Sequence, residues 1–453
     1  MKAWMVQEPG GAFKECVIEH NAPQANEVLV RIHASGVNPL DTKIRDGKAA
    51  HAEQPLPAVL GLDVAGVVED VGRDVTAFRP GDEVYGMVGG VGGHQGTLAE
   101  KIVVDADLLA PKPRNLSMPE AAVLPLSVIT AWEGLVDRAK VNAGQIVLIH
   151  AGAGGIGHVA VQIALAFGAK VYATVSPDKS DIVKRFGAIP IDYRSMSVDA
   201  YVAEATGGEG FDIVYDTVGG PTLDASFIAV KRYTGHVLSC LGWGTYSLAP
   251  LSFRSATYSG VFTLHPLISG QGRARHGEIL KQAARIAERG KLVPLLADQQ
   301  YSPDHLADAY ARVEAGSLGK VVIVMRDSST WPSAETAGCV SHRSPRHAST
   351  IQSARLVLCR AVASMRSCRG NVNPDGSAFQ WSGQKQVVAD GLVYLYGHPR
   401  SERQVGSRIA EQTFHEVPNC GCIPDPASGF PMTEGPAAPE TASGGRSSGS
   451  GCT

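Results

Sequence analysis

Between residues 145 and 241 short apolar runs alternate with stretches in which apolar side chains recur every three or four positions. This rhythm predicts strands at 145–150, 170–175, 189–192, 211–216 and 235–241, separated by helices at 156–167, 179–186, 198–206 and 222–230. Strands that alternate with helices in this way imply an α/β fold with a parallel, doubly wound sheet. Before about residue 118 the pattern differs. Short β-branched runs at 27–33, 64–71, 82–85 and 98–104 are separated by turn signals such as Arg79-Pro80-Gly81-Asp82 and the glycine-dense stretch 86–96, which predicts a compact, barrel-like antiparallel fold. After the βα units come an amphipathic helix carrying Ile279, Ala283 and Ile286, a short helix at 305–313 and a last strand at 320–325. Beyond Asp327 neither period persists, and only 386–396 has the pattern of a strand or helix. Residues 328–453 are therefore expected to be a mostly disordered tail.

Composition narrows the class without naming a chemistry. A chain of 453 residues with 44% hydrophobic and 19% charged residues has ample material for two or three packed domains. Its formal net charge of -3 gives no electrostatic reason to expect nucleic acid or an anionic membrane as a partner. The N-terminus has no basic segment followed by an apolar one, so a cytoplasmic location is the expectation. Only Cys16 and Cys240 precede residue 328, which excludes a disulfide framework there, whereas six cysteines follow it. Lysine almost vanishes beyond the same point, leaving Lys385 alone among many arginines, a switch that suggests a different coding history for the tail. The spacing around Cys420-Gly421-Cys422 is not that of a zinc ribbon or finger.

The sharpest chemical signal is the turn after the first parallel strand. Gly152, Gly154 and Gly157 satisfy G-x-G-x-x-G, with Gly155 and Ile156 completing the turn and a helix following directly. In such a motif the glycines permit a tight turn, close backbone approach to a pyrophosphate, and close packing of helix on strand. The helix end adds unpaired N–H groups and a positive dipole, so a dinucleotide site is expected here.

Several further segments carry a family resemblance: Ala34-Ser35-Gly36-Val37-Asn38-Pro39-Leu40-Asp41, Gly61-Leu62-Asp63-Val64-Ala65-Gly66, Arg79-Pro80-Gly81-Asp82-Glu83-Val84, Thr130-Ala131-Trp132, Asp216-Thr217-Val218-Gly219-Gly220 and Gly319-Lys320-Val321-Val322. Their order over about residues 1 to 327 resembles the medium-chain dehydrogenase/reductase superfamily, and within it the zinc-independent, zeta-crystallin-like quinone oxidoreductases. The resemblance implies a GroES-like catalytic domain from residues 1–125 and 263–327, a Rossmann domain from 126–262, and a homodimer. Zinc-dependent relatives have a cysteine where this chain has Val37-Asn38 and a histidine where it has Leu62. Those side chains, and the lack of cysteine between Gly81 and Val104, imply that no zinc is bound.

The resemblance also suggests site residues. Asn38 is the candidate donor to the acceptor carbonyl, with a turn-capping role as its structural alternative. Asp41 would order that loop or cap the helix that begins there. Lys43 stands where many quinone oxidoreductases have tyrosine; it would donate a proton or attract an anion, or simply face solvent. Thr130 would open a helix and touch the nicotinamide, as Val218 and Gly219 would at the carboxyl edge of the sheet, and Lys320 joins the cofactor contacts. Ser176, Lys179 and Tyr193 resemble contacts to a 2′-phosphate and adenosine, which favours NADPH over NADH, although Asp178 points the other way. The expected activity is NADPH-dependent hydride transfer to a quinone or other conjugated carbonyl. An enoyl or alkenal double-bond reductase and a non-catalytic NADPH-binding protein are the alternatives.

Overall fold

The computed structural model describes residues 1–325, 380–389 and 392–400. Met1–Arg343 and Ser344–Thr453 form separate units. In the first, the N-terminal part contributes β1 (Lys2–Val6), β2 (Phe13–Val17), β3 (Glu27–Val37), α1 (Pro39–Arg45), β4 (Ala58–Val59), β5 (Asp63–Val71), β6 (Glu83–Met87), β7 (Lys101–Asp105) and β8 (Leu109–Pro111). The long strand β3 is the organiser. It pairs antiparallel with β5 over most of its length, with β7 near its start, and near its end with β15 (Val321–Val324), which returns from the far end of the unit. β2, β1 and β4 form a smaller sheet, so the expected barrel-like part is built from two antiparallel sheets.

The helical part opens with α2 (Met118–Ala122) and α3 (Pro125–Trp132), then β9 (Ile146–Ile149), α4 (Gly157–Ala166), β10 (Lys170–Val175), α5 (Ser180–Arg185), β11 (Ile189–Asp192), α6 (Val198–Thr206), β12 (Ile213–Asp216), α7 (Pro221–Ala229), β13 (His236–Ser239), α8 (Ala249–Ser252) and β14 (Thr257–Gly260). All six strands are parallel and stand in the order β11-β10-β9-β12-β13-β14. The order reverses between β9 and β12, and a crevice at that switch point, beyond the carboxyl ends of the strands, is where such sheets bind ligands. The strand β14 has no counterpart in the expected pattern. It is a short, largely exposed edge strand, so its sequence lacks a buried face to mark it.

The helix after the glycine turn is not amphipathic, contrary to expectation. Gly157 through Ala164 are all buried, because α4 packs on β9 and β10 and is covered by α3. Its two polar residues, His158 and Gln162, lie one turn apart and both reach the segment 293–295. Gln162 accepts the N–H of Val293 at 2.8 Å and donates to its carbonyl at 3.0 Å. Leu295 N–H donates to His158 Nε2 at 3.2 Å, which leaves the proton on Nδ1 to donate to Gly154 O at 2.9 Å. Burial pushes the His158 pKa down to about 4, so the ring is neutral and serves as a staple.

The unit ends with α9 (His265–Ser269), α10 (Arg273–Glu288), α11 (Leu306–Glu314) and β15. Among the described residues no helix is long and apolar enough to cross a membrane. In the second unit Gln380–Ala389 pairs antiparallel with Leu392–Arg400. These two strands fall on and around the one tail stretch expected to have regular structure; the rest of the tail lies outside the described residues.

Candidate active site

Three strand ends bring the polar site together. Val321 pairs with Val37, so the residue before one and after the other, Lys320 and Asn38, face each other at the next position. Gly36 pairs with Asp63, which places the first residue of β5 beside the same strand end. The Lys320 ammonium donates to the Asn38 side-chain oxygen, and the Asn38 amide nitrogen donates to Asp63 at 3.0 Å. The other Asp63 oxygen accepts the N–H of Leu126 at 3.0 Å and so caps the start of α3 from a distant strand. Asp41 accepts the N–H of Asn38 at 2.8 Å, fixing the turn into α1, while its second oxygen is buried without a partner.

All four groups are buried, and the charge balance follows from that. Burial pushes the Asp41 carboxyl up to about 7. The same cause pushes Asp63 up to about 6, against the pull of Lys320 and of the Asn38 amide. Burial also holds Lys320 below the usual lysine range, against the attraction of both carboxylates. One proton on Asp41 leaves an ion pair of Lys320 and Asp63 bridged by Asn38, a neutral cluster with every other formal charge compensated.

The glycine turn lies next to this cluster and is organised chiefly by its backbone, with the His158 ring bonded to Gly154 O and the Thr174 hydroxyl to the Ala151 N–H. Its left-handed residue is Ala151, at φ 53°, not a glycine. The glycines are needed for close approach. A Cβ on Gly152 would stand 2.5 Å from the Ala173 Cβ on β10, and one on Gly157 would stand 2.0 Å from the Ala151 carbonyl oxygen. Gly155 faces the Lys320 side chain, whose Cδ would lie 3.3 Å from an added Cβ. Ala153, Gly155, Ile156 and Gly157 have no backbone acceptor for their N–H groups, so the turn presents a cradle of donors at the head of a ten-residue helix. The cradle suits a pyrophosphate.

A cleft of ≈ 590 Å³ runs from the turn to the polar cluster. Asn38, Lys43, Thr130, Gly154, Gly155, Ile156 and Lys320 line it. Asn38 is 0% exposed and forms the floor, whereas Lys43 is exposed at the rim. Asp41 lies behind the lining and orders the loop by accepting the N–H of Asn38. Thr130 is a correction. Pro125 starts its helix, and Thr130, five residues on, donates back to the Leu126 carbonyl at 2.7 Å instead of capping. Gly152, Gly157, Val218 and Gly219 shape the walls without lining them. Asp216 accepts the N–H groups of Val218 and Gly219 at 3.0 and 2.9 Å, and a Cβ on Gly219 would meet the Leu241 carbonyl at 2.6 Å.

Ser176, Lys179 and Tyr193 gather at the carboxyl ends of β10 and β11, away from the polar cluster. Sequence reasoning missed Arg194 there, whose guanidinium lies 5.8 Å from the Tyr193 ring centre. Asp178 is held below the usual carboxylate range, chiefly by the Ser176 hydroxyl. Also unforeseen were the role of Asp63, which the sequence offered only as part of a family segment, and the cleft residues Lys48, His51, Cys240, Trp243 and Phe262. Burial pushes the Cys240 thiol up to about 12, so it is not a nucleophile. His94, in the glycine-dense loop, stays out of the cleft, bonded to the Leu267 carbonyl at 3.1 Å.

Comparison with known proteins agrees with this architecture. Residues 24–114 match the family described as alcohol dehydrogenase GroES-like domain, and residues 155–271 the one described as zinc-binding dehydrogenase. The chain is 35% identical over 336 residues to the NADPH-dependent alkenal/one oxidoreductase of Arabidopsis thaliana, a chloroplastic protein, covering 71% of this chain and 79% of that one. An alcohol dehydrogenase superfamily protein from Novosphingobium aromaticivorans superposes with a TM-score of 0.71 at 54% identity, covering 72% of this chain and 100% of that one. A quinone oxidoreductase from Pseudomonas syringae gives 0.62 at 31% identity, covering 71% and 99%.

The second family description raises zinc, and the residues here do not fit it. The floor of the cleft offers an amide, an ammonium and one carboxylate already engaged by two donors, in place of thiolate and imidazole. Among the described residues no group of three His, Cys, Asp or Glu side chains is placed to hold a metal. With a GroES-like part and a Rossmann sheet meeting at a cleft, and with relatives aligned over 71–72% of its length, the chain belongs to the medium-chain dehydrogenase/reductase superfamily of nicotinamide-dependent oxidoreductases.

Proposed function

We propose that the protein is an NADPH-dependent, zinc-independent reductase of conjugated carbonyl acceptors, quinones or enones. The observation that carries this reading is the buried Lys320–Asn38–Asp63 bridge at the floor of the cleft, next to the glycine turn. Hydride addition to a conjugated carbonyl builds negative charge on its oxygen, and a fixed cation in a dry site is what that charge requires. Lys320 supplies the cation. Asn38 holds it in place and has one amide N–H uncommitted. The donor thus need not be a metal, and the electrophile is carried by the chain itself.

The cofactor would be held by the N–H groups of Ala153, Gly155, Ile156 and Gly157 along its pyrophosphate, with Thr130, Val218 and Gly219 toward the nicotinamide. When bound, it supplies the hydride. Lys179, Arg194, Ser176 and Tyr193 favour the 2′-phosphate of NADPH, with Asp178 engaged by Ser176 and Arg194 beside it. The cofactor named for the Arabidopsis relative supports the same choice. Lys43 at the rim is the candidate for returning a proton from solvent. In this reading residues 1–125 and 263–327 form the acceptor-side domain and 126–262 the cofactor domain. The free outer edge of β14 supports a homodimer.

An alkenal reductase is the second reading, supported by the name of the Arabidopsis relative, and it differs only in which bond of the conjugated system is reduced. Oxidation of NADPH and NADH measured in parallel with a quinone and an enone tests all of this. Turnover with NADPH is expected. Tight NADPH binding with no oxidation by any acceptor would instead mean a non-catalytic cofactor-binding protein.

A further inference from the structure

The mouth of the cleft is aromatic, and its rings come from both halves of the unit. His51, on the turn Ala50–Ala52 after α1, stacks on Trp243 with ring centres 4.8 Å apart and planes 27° from parallel. Phe262, just past β14, meets Trp243 edge-on at 5.9 Å and 84°. All three line the cleft that holds Lys320. Trp243 nevertheless remains 58% exposed. With imidazole stacked on it and phenyl crossing it at a steep angle, an indole that exposed still has open ring surface toward the cleft.

We propose that Trp243, backed by His51 and Phe262, is a stacking surface that makes the cleft selective for acceptors whose conjugated carbonyl carries an aromatic ring. This rests on the reading of the cleft as a reductase site and names the substrate class within it. Offset stacking of a planar ring on an indole adds attraction beyond the area buried, and a short aliphatic acceptor cannot gain it. Lys43, near His51 on the same lining, carries no ring, so the stacking surface at the mouth is supplied by Trp243. Burial and the nearby Lys43 hold the His51 ring below the usual histidine range, so it backs the indole as a neutral ring.

The test compares benzylideneacetone with ethylideneacetone, which present the same enone and differ by phenyl against methyl. With the full-length protein and NADPH, Trp243→Ala should lower the ratio of kcat/KM for benzylideneacetone to that for ethylideneacetone about five- to tenfold. Trp243→Phe, which keeps a ring, should retain most of the phenyl preference. Equal losses for the two enones, or no change in either, would overturn the proposal. If the wild type reduces neither enone nor any quinone, the proposed function falls, and the stacking surface is judged by calorimetric binding of benzylideneacetone to protein loaded with NADP⁺. Weaker binding in Trp243→Ala supports it; unchanged affinity overturns it.

Discussion

The two ends of the cleft are built on opposite principles. At the cofactor end, function resides in the backbone: four N–H groups without acceptors and glycines that let one chain segment lie against another. At the acceptor end it resides in side chains drawn from β3, β5 and the start of β15, whose register converges on Asn38, Asp63 and Lys320. A backbone site tolerates change in most side chains but fails when a Cβ is added. A side-chain site has the reverse sensitivity, because removing one partner leaves a buried charge uncompensated.

The largest expected effect therefore lies at the acceptor end. Lys320→Met should lower kcat/KM by about 10²–10³, the range found for removing one preorganised group that stabilises a developing oxyanion. Direct fluorescence titration should find NADPH still bound. Loss of cofactor affinity with unchanged kcat would move Lys320 from the acceptor end to the cofactor end.

The same cluster should leave its mark on stability. A carboxyl whose folded pKa is raised binds its proton more tightly in the native state, so its contribution is complete below the unfolded pKa of about 4 and is lost as pH rises through the folded value. For Asp41, raised to about 7, the window is pH 4 to 7 and the loss is on the order of 4 kcal/mol. Asp41→Asn retains an oxygen for the Asn38 N–H and removes the titration. Denaturant unfolding of the two proteins across that window should give curves that diverge with pH; parallel curves would refute the buried, proton-holding carboxyl.

At the cofactor end, Gly157→Ala drives a methyl group into the Ala151 carbonyl, so it should cost about 2 kcal/mol of stability and weaken cofactor binding together. The steric conflict exists before any phosphate arrives. A variant as stable as the wild type would mean that the turn opens freely. Lys179→Glu should raise the apparent KM for NADPH by about tenfold relative to that for NADH, since it replaces attraction to a 2′-phosphate by repulsion. Equal, small changes for both cofactors would place Lys179 in solvent and leave Asp178 as the ribose partner.

These contrasts also explain what the sequence made visible. The strand β10 and the helix α6 were legible because their periods are local and their ends are marked, α6 by Ser197 at its start and a left-handed Gly207 at its close. The glycine motif was legible as a whole, but the jobs of its members were not: the left-handed position fell to Ala151, and Gly157 answers to a carbonyl six residues earlier. Asp63 stood in a family segment but gave no sign of its role, which appears only when β5 lies beside β3 and α3 begins on it. Trp243 and His51 are nearly two hundred residues apart, and no pattern in either segment announces their stacking. Long-range register and packing, absent from any window of sequence, account for the difference.

The central claim is that an ammonium carried by the chain does the work of a metal. It is tested most directly by NADPH oxidation with naphthoquinone after exhaustive chelation, with zinc measured by elemental analysis on the same sample. The account predicts undiminished turnover with far less than about one zinc per chain. About one tightly held zinc per chain, with activity lost on its removal and restored on its return, would contradict it.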